Sequence, residues 1–161
     1  MNSFPQLVSC DCGKVKFQAT SKPIVTAVCY CTDCQAAGDI MADYKDIKPF
    51  REPDGGTPYV TLHDKDWTAI DGEELLQPLK LKPDSPTTRY VATCCQSPIY
   101  LKFKSGFWTS TYRARYESPP TLEWRNKTAR RRSNLPYPDN IPRFKKFPLR
   151  LFGRLLKARF F

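Results

Sequence analysis

The sequence predicts a mainly β domain followed by a basic extension, and three observations carry that reading. In the first two thirds, apolar residues come in brief runs rich in Val, Ile, Thr, Phe and Tyr, which favours strands over long helices. Fifteen prolines stand against seven glycines, as expected for short elements joined by stiff turns. Charge is divided unevenly: Met1 to Pro120 holds 14 Lys plus Arg and 14 Asp plus Glu, whereas Thr121 to Phe161 holds 12 basic and 2 acidic residues and so carries the whole net charge of +10. A chain of 161 residues is long enough to bury a core. We expect one β domain over 1–118 and a Pro-rich basic extension over 119–161.

In chain order, Lys14 to Thr20 and Ile24 to Tyr30 read as short strands joined by the turn-prone Ser21-Lys22-Pro23. Thr32 to Gly38 predicts a helical turn, with Thr32 as its cap and Gly38 as its stop. Further strands are expected at Pro58 to Leu62, Trp67 to Ile70, Leu75 to Leu81, Arg89 to Ala92, Pro98 to Phe103 and Phe107 to Tyr112, with turns at Asp71-Gly72 and Ser105-Gly106. Beyond Ser118-Pro119-Pro120, recurrent prolines break regular structure until PLRLFGRLLKARFF. A helical wheel over 149–160 puts Leu149, Phe152, Leu156 and Phe160 on one side and Arg150, Arg154 and Lys157 on the other, with Arg159 out of place, a short amphipathic basic helix. There is no internal repeat.

All seven cysteines fall into three clusters: Cys10 with Cys12, Cys29 with Cys31 and Cys34, and Cys94 with Cys95. Close pairs of this kind put two thiolates on one tight turn, and clusters distant in sequence can then clamp one tetrahedral ion. Disulfides fit badly, because the count is odd and the chain start has no secretory pattern. No segment approaches the ~20 apolar residues of a membrane span, so a reducing, cytoplasmic setting is expected. Four thiolates close a zinc site and three leave a position open. Thiolates at the start of a helix are also easier to ionise.

The order C-x-C-G, C-x-C-x-x-C, then a cysteine knuckle before Ser-Pro-Ile-Tyr resembles the glutathione-dependent formaldehyde-activating enzyme family, which includes centromere protein V. The stretches that carry the resemblance are SCDCGKVKF, CYCTDCQ and RYVATCCQSPIY, spanning about Ser9 to Tyr112. It implies a tent-like, mostly antiparallel β fold with two zinc ions. It also implies that Cys10, Cys12 and Cys95 belong to a closed structural site, and that Cys29, Cys31 and Cys34 hold a second, three-coordinate zinc where glutathione and the activated aldehyde are handled in a carbon–sulfur lyase-like reaction. The family knuckle is C-x-x-C-G, and this chain has Ala92-Thr93-Cys94-Cys95-Gln96 in its place. Adjacent strand residues point to opposite faces, so Cys94 and Cys95 can share an ion only if the backbone turns sharply between them. We expect that turn, and with it a site of Cys10, Cys12, Cys94 and Cys95.

Other candidates carry less. His63, the sole histidine, reads as solvated rather than catalytic, and Asp33 as a turn former. Arg89 and Arg113 are candidates for a glutathione carboxylate, with surface solvation expected for both. Trp67, Tyr90, Tyr100, Phe107, Trp108 and Tyr112 could wall a peptide-like substrate, and most of them are expected in the core. The extension is expected to be solvated and partly disordered. Next comes packing of its apolar stripe on the domain or in a homo-oligomer, then binding of anionic lipid or nucleic acid. The alternative to enzymatic thiol handling is a non-catalytic, zinc-stabilised module whose basic extension docks a partner.

Overall fold

A computed structural model describes residues 3–161. Among them the chain forms ten strands and two α-helices: β1 Gln6–Ser9, β2 Lys16–Ala19, β3 Val25–Cys29, α1 Thr32–Ala42, β4 Thr57–His63, β5 Trp67–Asp71, β6 Leu76–Leu79, β7 Thr87–Ala92, β8 Pro98–Phe103, β9 Trp108–Tyr112, β10 Trp124–Asn126 and α2 Leu149–Phe160. The mainly β class expected from the sequence is what the chain adopts. A small sheet runs β1-β2-β5, and a large one runs β10-β3-β4-β9-β8-β7-β6. Every pairing is antiparallel except that of β10 with β3.

The small sheet covers one face of the large one. Val8, Phe17 and Ala19 of the small sheet meet Val60, Leu62, Ala92 and Ile99 of the large sheet in one cluster, with Phe17 stacked on Trp67 at 4.4 Å. On the opposite face, Ala37 and Met41 of α1 pack with Tyr59, Phe50 and Tyr112. Central strands β3 and β4 are therefore covered on both sides. Every residue of β3 and all but His63 of β4 are buried, which is why neither shows polar alternation.

Two short strands lie where none was expected. In β1 only Leu7 and Val8 are apolar, too few to stand out, yet Val8 is fully buried through antiparallel pairing with β2. In β10 the basic segment joins β3 in parallel register, Arg125 opposite Val28 and Asn126 opposite Cys29. Helix α1 also runs past its predicted stop. Gly38 lies inside it, and a Cβ there would sit 2.8 Å from Nη1 of Arg51. This glycine makes room for a side chain lying across the helix.

The extension is not the solvated, partly disordered segment expected from its prolines and charges. Arg125 is fully buried because its guanidinium is paired on both sides, with Glu52 at 2.6 Å and Asp139 at 2.9 Å, and also donates to Tyr30 Oη. Arg131 pairs with buried Asp54 at 2.9 Å, and Tyr30 donates to the same carboxylate at 2.6 Å. Gln35 of α1 donates to the Arg130 carbonyl, and Arg132 pairs with Asp39 at 3.0 Å. Arginines that look solvated in sequence are thus the clamps that hold the extension down.

Helix α2 forms where predicted but turns the other way round. Its guanidinium face lies inward: Arg154 bonds Glu123 at 2.7 Å and rests 4.9 Å from the Trp124 ring, and Arg150 rests 4.8 Å from Phe144. The apolar stripe, for which packing on the domain is one of the readings, faces away from it.

Candidate metal centres

The first centre is built from two turns stitched together by a serine. Cys10 follows β1 and opens a tight turn, with Gly13 donating to the Cys10 carbonyl at 3.1 Å and the Val15 N–H pointing at Cys10 Sγ at 3.2 Å. Cys94 and Cys95 lie on the turn between β7 and β8. That turn is sharp: the Gln96 N–H bonds the Ala92 carbonyl at 2.8 Å, and Gln96 takes a left-handed φ of 65°. The chain reverses around the two adjacent cysteines, and the turn closes just after them at Gln96. Ser97 Oγ accepts from the Asp11 N–H at 2.9 Å and lies 3.1 Å from Cys95 Sγ, tying the two turns together. Ala92, where the C-x-x-C pattern would place a cysteine, is fully buried in the core. Cys94 comes to 3.8 Å from Cys10 Sγ in its stead.

The sulfurs of Cys10, Cys12, Cys94 and Cys95 all lie within 4.8 Å of one another. Cys10 to Cys12 measures 3.6 Å, Cys10 to Cys94 3.8 Å and Cys94 to Cys95 3.9 Å. A tetrahedron with zinc–sulfur bonds of ~2.3 Å has edges of ~3.8 Å, so this donor set fits zinc in both chemistry and spacing. Burial pushes the Cys10 and Cys94 thiols up. Burial would raise Cys95 too, but hydrogen bonds from Ser97 Oγ and from the Cys12 and Ser97 backbone hold it at about 6.

The second centre sits where β3 meets α1. Cys29 ends the buried strand, Cys31 caps the helix and Cys34 falls in its first turn. The cap is Cys31 rather than the predicted Thr32: its sulfur accepts the Cys34 N–H at 3.3 Å. These three sulfurs also lie within 4.8 Å of one another, and among the described residues no further Cys, His or carboxylate joins the group. Cys29 and Cys34 are buried and Cys31 is half-buried, so the centre is approached over Cys31. Asp33 is exposed beside it, and neither cysteine group contains it.

Behind Cys34 stand two side chains that sequence reading did not place there. Tyr59 Oη donates to Cys34 Sγ at 3.5 Å, and Arg89 Nη2 lies 3.7 Å from the same sulfur. Arg89, expected to be solvated, is only 2 % exposed. Hydrogen bonds from Cys29 and Cys31 hold the Cys34 thiol well below its ordinary value; burial opposes them, and Arg89 and Tyr59 reinforce them. Cys29 is pushed far up by giving its hydrogen bonds to Cys31 and Cys34 and by burial. The hydrogen bond from Cys29 draws Cys31 down, but bonding to Cys34 and burial outweigh it and leave Cys31 at about 11. The three shifts run in opposite directions, Cys34 down and Cys29 and Cys31 up, because the thiols share hydrogen bonds with one another.

The remaining candidates take other roles. His63 Nδ1 accepts the Lys65 N–H at 3.1 Å and its ring packs on Phe107, so it shapes a turn and belongs to neither cysteine group. Arg113 Nε donates to the Pro120 carbonyl at 2.6 Å, fixing the start of the extension. Among the described residues no helix is long and apolar enough to cross a membrane.

Residues 6–45 match the family model of the glutathione-dependent formaldehyde-activating enzyme, a stretch that holds five of the seven cysteines. No curated protein sequence matches the chain. Among solved structures, the crystal structure of a Rhodobacter sphaeroides protein is similar at a TM-score of 0.49 and 14 % identity, over 70 % of this chain and 88 % of that one.

Proposed function

On the premise that residues 6–45 carry the signature of the glutathione-dependent formaldehyde-activating enzyme family, we propose that the chain is a two-site zinc protein. In this reading the Cys29, Cys31, Cys34 centre takes up a small thiol such as glutathione, or its formaldehyde adduct, in a carbon–sulfur lyase-like reaction. The observation that carries the reading is the incompleteness of that centre, three sulfurs with no further Cys, His or carboxylate beside them among the described residues. Cys10, Cys12, Cys94 and Cys95 would hold the other ion in a closed site that fastens β1 to the β7–β8 turn.

Zinc at a three-sulfur centre supplies an exchangeable position that favours an incoming thiol in its thiolate form. The chain's own residues set the conditions. Arg89 brings a positive charge to 3.7 Å from Cys34, balancing a centre in which three thiolates outnumber the charge of a divalent ion. Tyr59 donates to the same sulfur, which ties it to β4. Cys31 forms the half-buried rim over which a thiol must arrive. In the adduct the sulfur is bonded to the aldehyde carbon. Cleavage returns the electron pair to sulfur and a proton leaves the hydroxyl, and formation runs in reverse.

Exchange spectroscopy by NMR between formaldehyde and its glutathione adduct tests this reading, because the uncatalysed addition is itself measurable. Exchange is expected to exceed that of glutathione alone and to fall to the blank in Cys31→Ser. Metal analysis is expected to find two zinc equivalents per native chain and one in a variant lacking the triplet. An exchange rate equal to the blank with both sites loaded would remove the enzymatic claim.

A further inference from the structure

Helix α2 presents an apolar surface that none of the described residues covers. Leu149 is 86 % exposed, Phe152 53 %, Leu156 61 % and Phe160 67 %. At 100° per residue these four fall within an arc of about 80°. Lys157 borders the arc on one side and Arg159 on the other, both exposed; Arg150 lies beside Lys157 and is exposed too, although its guanidinium rests on the Trp124 and Phe144 rings and that of Arg159 lies 5.8 Å from Phe107. Just before the helix, Lys145 and Lys146 are exposed, and Phe147 beside them is partly so.

This orientation is held, not incidental. Arg154 reaches inward to Glu123 and to the Ile24 carbonyl, and Leu151 packs on the cluster of Val25, Ala27 and Trp124. The helix is therefore anchored by its opposite face, and the apolar arc points outward on a rigid base. We infer that α2 is an interfacial docking surface for an anionic lipid bilayer, lying flat with Leu149, Phe152, Leu156 and Phe160 among the acyl chains and the flanking cations on lipid phosphates.

Charge complementarity selects this occupant. A second copy of the chain docked through the same arc would bring Arg150, Lys157 and Arg159 against their own counterparts, and the whole chain already carries +10. A nucleic acid would engage the cations but leave the leucine and phenylalanine stripe without a use. A bilayer with acidic headgroups satisfies both, which is the pattern of interfacial helices. At 12 residues, or about 18 Å, α2 is too short to span and suited to lying in the plane.

The zinc-loaded 161-residue chain is tested by co-sedimentation with vesicles of phosphatidylcholine alone and of phosphatidylcholine with phosphatidylserine. Binding is expected only to the acidic vesicles and is expected to weaken with salt. Phe152→Ser with Leu156→Ser, both at exposed positions, is expected to weaken it at least about tenfold. Lys145→Ala with Lys146→Ala is expected to cost about fivefold per residue removed. Zinc content and circular dichroism serve as folding controls. The proposal is overturned by absence of vesicle binding, by equal binding to neutral and acidic vesicles, or by a serine variant that binds like the native chain. A chain that dimerises through the stripe, or binds duplex DNA but not vesicles, overturns it in favour of that occupant. None of these readouts depends on thiol chemistry, so they stand apart from the test of the second metal centre.

Discussion

Arg89 is the side chain on which the second centre turns. A guanidinium removed from water costs several kcal/mol unless an anion compensates it, and among the described residues Arg89 pairs with no carboxylate. Its compensation is the sulfur of Cys34. Replacing it by methionine keeps the volume and removes the charge, so metal affinity at the triplet is expected to drop about 10- to 100-fold, as for other groups that support ligands from behind. Titration with cobalt, followed by thiolate-to-metal absorption, measures this directly, and the four-cysteine site provides an internal reference that should not change. The ligands themselves were legible in the sequence because cysteine clusters announce themselves. Arg89 was not, since a charged residue on a strand reads as solvent-facing. The available signal was alternation: Arg89 shares its strand face with Val91, which is buried.

Local elements were legible where apolar runs are long enough to show, as in β4, β8 and β9, and illegible where pairing rather than composition makes the strand, as in β1 and β10. The turn between β7 and β8 is an intermediate case. Cys94 and Cys95 fall in one group of sulfurs, and the turn that carries them closes just after them with Gln96 at a φ of 65°. A side chain in the left-handed region costs about 1–2 kcal/mol, and glycine there loses part of that gain through extra freedom in the unfolded chain. Gln96→Gly is therefore expected to stabilise the protein by ~0.5–1 kcal/mol, raising its melting temperature by roughly 1–4 °C. Gln96 is exposed, so the change should leave zinc content untouched. A lower melting temperature would mean that the glutamine side chain contributes a contact outweighing the strain.

Across the whole molecule, the body and the extension are joined by buried charge. Burial alone would raise Asp54, but hydrogen bonds from Tyr30, the Gly56 N–H and Arg131 hold its carboxyl below the usual range. Arg125 does the same for Asp139. Carboxylates depressed in the folded state contribute stability that is complete above their unfolded value of 3.8 and is lost as pH falls through the lower folded values. The extension is thus expected to hold firm at neutral pH and to loosen below about pH 4. The indole N–H of Trp124, which donates to Asn126 at 2.5 Å, reports this by NMR. An unchanged resonance down to pH 2 would show that the ion pairs are dispensable. Composition made the extension look detachable, because arginines and prolines resemble a solvated tail until the matching carboxylates of Glu52, Asp54 and Asp39 are found far away in sequence.

The parallel pairing of β10 on β3 also decides what a shortened chain would be. The Tyr30 N–H bonds the Asn126 carbonyl, one residue beyond Cys29, so cutting the gene before Thr121 would strip a whole row of hydrogen bonds from the strand that delivers the first thiolate of the triplet. The raw border left behind is a template on which other chains can assemble. Such a fragment would leave solution as aggregate before its chemistry could be assayed.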